Sequence, residues 1–433
     1  MKNEALQRAK GVRDFGPAEK IARAKLISGL TEIFELFGYN PIETPIIERY
    51  ELFASKHGIG QESDAMRETF KFRDQGLRDL VLRTEFTVPF ARFVGMNPQL
   101  KLPFKRYQIG KVFRDGPIKL GRYREFYQCD VDVVGVSNPA VEAELLNLIN
   151  RAFQKLGLEV EIKINNRKIL NAILENAGVP KEKQTSAIIS IDKLDKIGED
   201  GVKAELKEKG IEEDISNTVL STLSISGSNL DMLAKLKEII GENEGLGEVE
   251  KAITIAGDEN VVFTPSLARG LAYYTGNVFE VFLKDTSKLN SSLCAGGRFD
   301  EMIGGFIGTD EKYPAVGVSF GLDTIFDALK LTENETLEKQ SVSDVYIIPL
   351  GDQNFEPAYK LAAELRKQDI SVDIDFLGRK IGKNMDYANS YGVSWVILVG
   401  DEEVAENKYA LKNMNSGDQE KISVDEIINR IKV

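Results

Sequence analysis

The stretch FRDGPIKLGRYREFYQCDVDVVG, residues 113–135, decides the fold of the region around it. It predicts two strands joined by a loop, with Arg114 at the end of the first strand and Arg122 at the start of the second. Because residues two apart in a strand share a face, the second strand has a polar face and an apolar face. The polar side comprises Arg122, Arg124, Gln128, Asp130 and Asp132 with Phe126 among them, and the apolar side Tyr123, Tyr127, Cys129, Val131 and Val133. We expect the apolar face to pack on the rest of the fold.

The charged face of this strand has two interpretations. It is either a solvated surface with weak cross-strand ion pairs or a platform for a charged ligand. A second segment, LVLRTEFT at residues 80–87, favours the platform because, taken as a strand, it presents Arg83, Glu85 and Thr87 on one face. Two strands that each carry a charged row fit a ligand site better than two unrelated surfaces.

Two further segments contain candidate site residues. In LARGLAYYTGNVFEV, residues 267–281, Arg269 lies among small residues ahead of two tyrosines; the alternative is a turn that enters a core strand, with the arginine merely exposed. In CAGGRFDEMIGGF, residues 294–306, Gly296 and Gly297 permit a close approach of the backbone, although a pair of glycines is more often only a turn. Neither segment defines a function by itself.

The composition is that of a soluble globular protein. Hydrophobic residues make up 42% and charged residues 29% of the 433 residues, and no apolar run reaches the length of a membrane span. The first residues show no signal-peptide pattern, so we expect a cytoplasmic protein of two or three domains without a membrane partner. The net charge of −12 disfavours indiscriminate nucleic-acid binding, but it leaves room for local basic patches.

The rare residues limit the chemistry. Cys129 and Cys294 lie in no metal-ligand spacing, which speaks against a disulfide framework and a structural zinc site. His57 is the single histidine, and in SKHGIG it reads as a loop residue after a helix end. The chain therefore has to perform any catalysis without a histidine base.

The order of periodic segments predicts a large first domain over residues 1–330. Helical periodicity at residues 20–37 and in TVPFARFVGM after Thr87, with strands between, marks its core. Residues 170–255 are rich in Lys and Glu with helical periodicity. We interpret them as a helical insertion.

A second domain follows a linker. Residues 331–344 are polar and poor in apolar side chains, which is typical of a connection. From 345 to 433, short apolar strands alternate with helices, and a hairpin turning at 415–417 precedes a last helix. This alternation predicts a small α/β domain whose sheet has parallel strands.

Taken together, these segments resemble the signature blocks of histidyl-tRNA synthetases in their usual order. The blocks are VLRTEFTVPFARF, FRDGPIKLGRYREFYQCDVDVVG, LARGLAYYTGNVFE and AGGRFDEMIGGF, and the resemblance runs from GVRDF at residue 11 to the last helix. It implies an α+β class II synthetase fold: an antiparallel sheet flanked by helices, a helical insertion and a C-terminal anticodon-binding α/β domain. It also implies a homodimer, formed partly through GYNPIETPII with Pro45.

The resemblance implies a site for ATP and histidine. Arg114 and Arg269 would be the catalytic residues, contacting the α-phosphate of ATP where charge builds up as the histidine carboxylate attacks. Arg122 would lie near the other phosphates or the histidine carboxylate. The residues expected to bind histidine are Glu85, Thr87, Arg122, Gln128, Asp132, Tyr273 and Tyr274. Glu85 would hold the ammonium, and Asp132 and Tyr274 would bind the two imidazole nitrogens. Hydrogen bonds to both nitrogens would reject isosteres that lack these nitrogens.

The partners implied by the resemblance are L-histidine, ATP and tRNA(His). Histidine would be activated to histidyl-adenylate and passed to the 3′ end of the tRNA, with Mg²⁺ bridging ATP phosphates and no confident metal ligand among the side chains. Arg379, Lys380 and Lys383 cluster at a predicted helix start and could meet RNA phosphates. A solvated basic helix end is the alternative for these three.

Four positions depart from the family pattern. The departures are Gly116 for a glutamate after the first signature arginine, Ala272 for the aspartate of Arg-Gly-Leu-Asp-Tyr-Tyr, Phe299 for a tyrosine after Gly-Gly-Arg, and Thr324 for the arginine of the last motif that packs on ATP. One missing guanidinium–adenine contact costs about 1–2 kcal/mol, so we expect a working enzyme.

A second hypothesis is a catalytically silent relative. Some synthetase-like proteins are histidine-binding regulatory subunits, for example of ATP phosphoribosyltransferase, and these characteristically lack the C-terminal anticodon domain. Here GRKIGKNMDYANSYGVSWVILVG and KYALKNMNSGDQEKIS both resemble that domain. Its retention favours the ligase.

Overall fold

The computed structural model describes residues 6–55, 64–118, 121–257, 259–269, 273–332 and 340–432. Of these, residues 6–13 and 26–332 form one compact unit, and residues 14–25 with 340–432 form a second. The segment 14–25, which the sequence assigns to the first domain, therefore groups with the second unit. Part of the predicted linker lies outside the described residues, and so does the whole of His57. The predicted domain limits stay predictions.

The elements between residues 17 and 331 alternate short strands with helices. In chain order they are α1 (Pro17–Leu36), β1 (Asn40–Pro41), β2 (Ile47–Arg49), α2 (Tyr50–Ala54), α3 (Asp64–Arg67), β3 (Lys71–Arg73), β4 (Asp79–Leu82), α4 (Thr87–Gly95), β5 (Phe104–Phe113), β6 (Glu125–Val134), α5 (Ala140–Lys155), β7 (Val160–Asn166), α6 (Arg167–Asn176), α7 (Lys181–Ile191), α8 (Leu194–Glu208), α9 (Glu213–Leu223), α10 (Asn229–Ile240), α11 (Glu244–Ala256), β8 (Val261–Phe263), β9 (Asn277–Leu283), β10 (Cys294–Arg298), α12 (Met302–Ile307), β11 (Ala315–Gly321) and α13 (Leu322–Leu331). None of the described helices is both long and apolar enough to cross a membrane.

An eight-stranded sheet forms the centre of the first unit, in the order β1-β5-β6-β11-β10-β9-β7-β8. Its six middle strands are antiparallel neighbours, and the two edge pairs, β1 with β5 and β8 with β7, are parallel. The expected antiparallel sheet is therefore present, but the parallel pair at each edge makes the whole sheet a mixed one. A separate three-stranded sheet has the order β2-β4-β3.

The apolar face of β6 packs as its alternation predicts. Val131 and Val133 are buried, and on the neighbouring strand β11 the ring of Phe320 contacts two helices. Its centroid lies 5.5 Å from that of Phe34 on α1 and 5.7 Å from that of Phe153 on α5. Helices thus cover this face of the sheet, which leaves the polar face for a site.

Six helices, α6 to α11, occupy residues 167–256, a segment that the structure describes throughout and in which it has no strand. Side chains cap the starts of three of these helices; for example, the Asn166 side chain accepts from Lys168 N at 2.9 Å, and that of Asn243 from Gly245 N at 2.8 Å. The predicted run of helices is confirmed.

Two expected strand limits are wrong. Strand β4 ends at Leu82 and helix α4 begins at Thr87, so Arg83, Glu85 and Thr87 do not share a strand face. The reason is local, since the Glu85 side chain caps the first turn of α4 and the chain turns there. Strand β6 begins at Glu125, so Arg122 lies in the loop before it.

The second unit contains a smaller sheet. Its further elements are β12 (Val345–Pro349), α14 (Phe355–Arg366), β13 (Val372–Ile374), α15 (Ile381–Ser390), β14 (Trp395–Val399), α16 (Asp401–Glu406), β15 (Tyr409–Asn413), β16 (Gln419–Ile422) and α17 (Val424–Lys432). The strand order is β13-β12-β14-β15-β16, with parallel pairs among the first three and an antiparallel hairpin at the end. The predicted parallel strands and hairpin are confirmed.

Candidate active site

On the polar face of the large sheet, Gly317 and Gly297 lie side by side in one row of opposed residues, which is called the glycine floor. Asp132 of β6 lies directly opposite Arg106 of β5 on one side and opposite Gly317 of β11 on the other. Gly317 in turn lies opposite Gly297 of β10, which lies opposite Val278 of β9. Directly opposed residues of antiparallel strands share a face. Because the two glycines lack side chains, they leave room on this face for side chains of neighbouring residues. The region between Asp132 and β9 is called the cleft below.

The side chains of Asp132 and Tyr274 lie over the glycine floor from opposite sides. A Cβ atom at Gly317 would lie 2.0 Å from Asp132 Oδ1, and one at Gly297 would lie 2.9 Å from the ring of Tyr274. Any side chain at these positions would push the two groups away, because real Cβ contacts are not that short. The close approach expected at the double glycine is thus made, at Gly297, by Tyr274. The structure brings Asp132 and Tyr274 to one cleft.

Two buried carboxylates of β6 face this cleft. The Asp132 Oδ2 atom lies 2.6 Å from Arg106 Nη2, and Asp130 accepts from the hydroxyl of Ser319 at 2.5 Å. Burial raises the pKa of both carboxyls, whereas Arg106 opposes the rise. A cationic or N–H donor ligand would relieve this excess of negative charge.

Glu85 reaches the same neighbourhood from the start of α4. Its two carboxylate oxygens accept from the backbone N–H groups of Thr87 at 3.0 Å and Val88 at 2.8 Å. Burial raises the pKa of Glu85, while these hydrogen bonds and the charge of Arg114 oppose the rise. The positive end of the helix thus holds a carboxylate in one orientation.

The charge of Glu85 also acts on residues from two other parts of the chain. It contributes, after burial, to the raised pKa of Asp132 and of Tyr273 and Tyr274. Such coupling requires proximity. This coupling indicates that Glu85, Asp132 and the two tyrosines lie in the same neighbourhood.

Arg114 follows the end of β5 and is tied to the backbone. Its Nε donates to Thr84 O at 3.0 Å, and its guanidinium carbon lies 5.2 Å from the ring centroid of Phe126. Burial lowers the pKa of Arg114, and Glu85 opposes this. The side chain is thus held by fixed neighbours before any ligand binds.

Arg269 enters from the segment before β9. Its Nη1 lies 3.6 Å from Glu280 Oε1, and its guanidinium carbon lies 5.9 Å from the ring centroid of Tyr274. Arg269 and Arg114 both interact electrostatically with Tyr273. Arg269 is thus positioned by Glu280 and Tyr274, in a segment far along the chain from Arg114.

Arg122 is held by a residue that the sequence does not single out. Its Nη2 donates to both carboxylate oxygens of Glu68 at 2.8 Å. A Cβ at Gly116 would lie 2.7 Å from that carboxylate, so the missing side chain at 116 makes room for it. Glu68 occupies the space that a glutamate at position 116 would enter.

Gln128 offers an acceptor that the protein does not use. It lies on β6 between Gly110 and Gly321 of the adjoining strands. Its Oε1 is buried without a hydrogen-bond partner in the described chain. Buried polar atoms are nearly always paired, so this oxygen is suited to a ligand donor.

Besides Gly116, two more of the four departures have contacts that the structure describes. Phe299 is buried among apolar residues of α2, α4 and α12, where a tyrosine hydroxyl would need a partner. The Thr324 hydroxyl donates to Gly121 O at 3.3 Å, so α13 contacts the loop that carries Arg122. Ala272 lies outside the described residues.

Sequence reasoning did not find Arg106 and Glu280, although each contacts a predicted site residue, nor Ser319, which donates to Asp130. These contacts depend on register and on the packing of side chains. No spacing within one segment reveals which residue of β5 lies opposite Asp132, and this is why they were missed.

This fold and site define the class: the first unit has the catalytic fold of a class II aminoacyl-tRNA synthetase. The family model for histidyl-tRNA synthetase matches residues 11–325, and that for an anticodon-binding domain matches residues 344–433. The chain belongs to the histidyl-tRNA synthetase family.

Similar proteins cover nearly the whole chain. The histidine–tRNA ligase 1 of Bacillus anthracis is 43% identical over 98% of this chain and 99% of its own. The crystal structure of histidyl-tRNA synthetase from Nostoc sp. PCC 7120 superposes with a TM-score of 0.85 at 31% identity, covering 99% of each chain. The fold is shared with a crystal structure from Bacillus halodurans of an ATP phosphoribosyltransferase regulatory subunit/histidyl-tRNA synthetase. That structure superposes with a TM-score of 0.75 at 23% identity, covering 92% of this chain and 99% of its own.

Proposed function

We propose that this chain is a histidine–tRNA ligase: it activates L-histidine with ATP, releases diphosphate, transfers the histidyl group to tRNA(His) and releases AMP. One observation carries the proposal. Arg114 is tied to the backbone next to Glu85, and Arg269 lies beside Tyr274, which together with Asp132 covers the two glycines of the sheet. We infer a cytoplasmic location, where tRNA and ATP are available.

In the activation step the carboxylate of histidine attacks the α-phosphorus of ATP and diphosphate leaves. Arg114 and Arg269 stabilise the charge that develops on the α-phosphate, and Arg122 contacts the remaining phosphates or the histidine carboxylate. The backbone tie of Arg114 supports this role, because a guanidinium that is already oriented loses little freedom on binding.

Histidine is held at both ends. Glu85 accepts from the ammonium, with Thr87, Gln128 and Tyr273 beside it. Asp132 and Tyr274 meet the two imidazole nitrogens across the glycine floor. The buried excess of carboxylate charge supports this assignment, because histidine brings a cationic ammonium and N–H donors to the cleft.

The transfer step needs no protein nucleophile. The terminal ribose hydroxyl of the tRNA attacks the carbonyl carbon of histidyl-adenylate, and AMP leaves. Mg²⁺ would come with ATP as part of the substrate, held by the phosphates more than by side chains, and it would supply positive charge there. This fits the site, since the nearby carboxylates Glu68 and Glu280 face Arg122 and Arg269.

A histidine-dependent ATP–diphosphate exchange assay tests the function directly. The ligase exchanges labelled diphosphate into ATP only when histidine is present, and it charges tRNA(His) afterwards. Histidine binding without exchange would contradict the proposal and support the regulatory subunit instead.

The second unit has a surface suited to the anticodon arm. Lys380 is the N-cap residue of α15, and Lys383 lies exposed in its first turn. The guanidinium carbon of Arg379 lies 4.6 Å from the ring centroid of Tyr387. Phe376 is 65% exposed and supplies a ring on which an unpaired base could stack. We infer that tRNA phosphates bind these three basic residues.

Replacing Lys380 and Lys383 together by alanine is expected to raise the KM for tRNA about tenfold and to leave histidine-dependent exchange unchanged. Each lysine that contacts a phosphate contributes about one unit to the slope of binding against salt, so the slope should fall by about two. The double variant Lys367→Ala, Lys408→Ala removes the same charge elsewhere in the second unit and should change neither. An unaltered tRNA KM in the first variant would place the tRNA elsewhere.

We further propose a homodimer through residues 38–47. Ile46 and Ile47 follow Pro45 and are 43% and 49% exposed in the single chain, and exposed apolar patches commonly mark protein interfaces. Light scattering should give twice the mass of one chain, and Ile47→Asp should shift this value toward the monomer. A monomeric unmodified protein would refute the proposal.

A further inference from the structure

We propose that Arg106 is the positioning residue for Asp132: it holds one carboxylate oxygen from behind the pocket, so that the other oxygen faces the imidazole N–H of histidine. The inference rests on the proposed function, in which Asp132 binds the substrate side chain. It adds the residue that gives this carboxylate its direction and its charge.

The two oxygens of Asp132 have different surroundings. Oδ2 lies 2.6 Å from Nη2 of Arg106 on β5. Oδ1 lies over Gly317 on the opposite neighbour β11, where a Cβ would come within 2.0 Å of it. One oxygen therefore points away from the glycine floor and the other lies above it. A carboxylate anchored in this way presents a single directional acceptor to the cleft.

Arg106 is itself fully buried and packs against an aromatic ring. Its side chain is 0% exposed, and its guanidinium carbon lies 4.3 Å from the ring centroid of Phe90. None of its three side-chain nitrogens makes a hydrogen bond of acceptable angle in the described chain. A structural arginine would donate to backbone carbonyls, as Arg83 does to Thr44 O and Lys111 O. The environment of Arg106 instead points to a role through its carboxylate neighbour.

Arg106 is the cation among the titratable groups that act on Asp132. The others are Asp130 on the same strand, Glu85 before α4 and Tyr39 after α1. Burial raises the pKa of Asp132, Glu85 adds to the rise and Arg106 opposes it. Without Arg106 the carboxyl would hold its proton to higher pH. A protonated Asp132 could no longer offer two acceptor oxygens to an imidazole N–H.

The experiment compares Arg106→Met and Arg106→Lys with the unmodified enzyme in histidine-dependent exchange from pH 6 to pH 9. Arg106→Met should raise the histidine KM about 30-fold at pH 7 and change the ATP KM less than about twofold. Its acidic limb of kcat/KM for histidine should move to higher pH by about one unit or more, so that activity recovers as the pH rises. The titration of histidine itself is common to all variants and cancels in this comparison.

Arg106→Lys keeps the charge but loses the planar guanidinium. It should raise the histidine KM about fivefold and leave the acidic limb near its original position. Lys105→Met is the matched control, since it removes one positive charge at the adjacent position, where Lys105 pairs with Glu144 at 2.7 Å. This variant should keep the original histidine KM and pH profile.

The outcomes separate the inference from the proposed function. Absence of histidine-dependent exchange in the unmodified protein would reject the function. Exchange in the unmodified protein together with an unchanged histidine KM and pH profile in Arg106→Met would overturn the inference, and so would equal rises of the histidine and ATP KM. If thermal melting shows that Arg106→Met does not fold, Arg106→Lys decides, and an unaltered histidine KM in that variant overturns the inference.

Discussion

Replacing Arg269 by alanine is expected to lower the kcat of histidine-dependent ATP–diphosphate exchange by about 10²–10³-fold, while the KM for histidine changes less than about twofold. The guanidinium acts on charge that develops at the α-phosphate, and a contact of this kind is strongest in the transition state. Its neighbours Glu280 and Tyr274 already orient it before ATP binds. Initial-rate measurements at saturating ATP give both constants.

Arg151→Ala is the matched control for this prediction. Arg151 lies exposed on α5, so its loss tests the general effect of removing an arginine. It should leave kcat and both KM values unchanged. A rise in the histidine KM as large as the fall in kcat would show that Arg269 binds the amino acid rather than the phosphate.

Asp132→Ala is expected to raise the KM for histidine about 100-fold, because a charge-assisted hydrogen bond to the imidazole is worth about 1.5–3 kcal/mol. It should also lower the free energy of unfolding by about 3–5 kcal/mol, since it leaves Arg106 buried and unpaired. Exchange kinetics measure the first effect and urea unfolding the second. The ATP KM should stay within about twofold.

Asp132→Asn separates the two effects. It preserves the shape of the side chain over Gly317 but removes its charge, so we expect a similar rise in the histidine KM with a smaller loss of stability. If histidine dependence is unchanged in both variants, Asp132 does not belong to the imidazole pocket.

The departures from the family pattern illustrate how substitutions are absorbed by tertiary neighbours. Gly116 lacks the carboxylate that a glutamate would bring to the loop, yet Glu68 supplies one in the same space and binds Arg122. Thr324 lacks a guanidinium but contacts the backbone of the same loop at Gly121. Only the first contact supplies a charged group in place of the missing one, and neither contact is visible from the positions themselves.

Much of the fold could be predicted because its periodicities are local. The alternation of apolar residues in β6 and the stripe on α1 depend only on residues two to four apart, and both appear in the structure. The helices of 167–256 and the parallel strands of the second unit follow the same rule. The error at Arg83, Glu85 and Thr87 arose because a charged alternation resembles a strand, whereas the Glu85 carboxylate caps a helix.

By itself, the sequence determined which strands and helices form and which segments carry the charged residues, because backbone periodicity and local capping act over a few residues. Only the tertiary structure decided that Arg106 pairs with Asp132 and that Glu68 holds Arg122. It also decided that Gly317 and Gly297 leave room for Asp132 and Tyr274 on one face of the sheet. Those contacts depend on strand register and on which surfaces meet. The buried charges can remain there only because their partners arrive from distant parts of the chain.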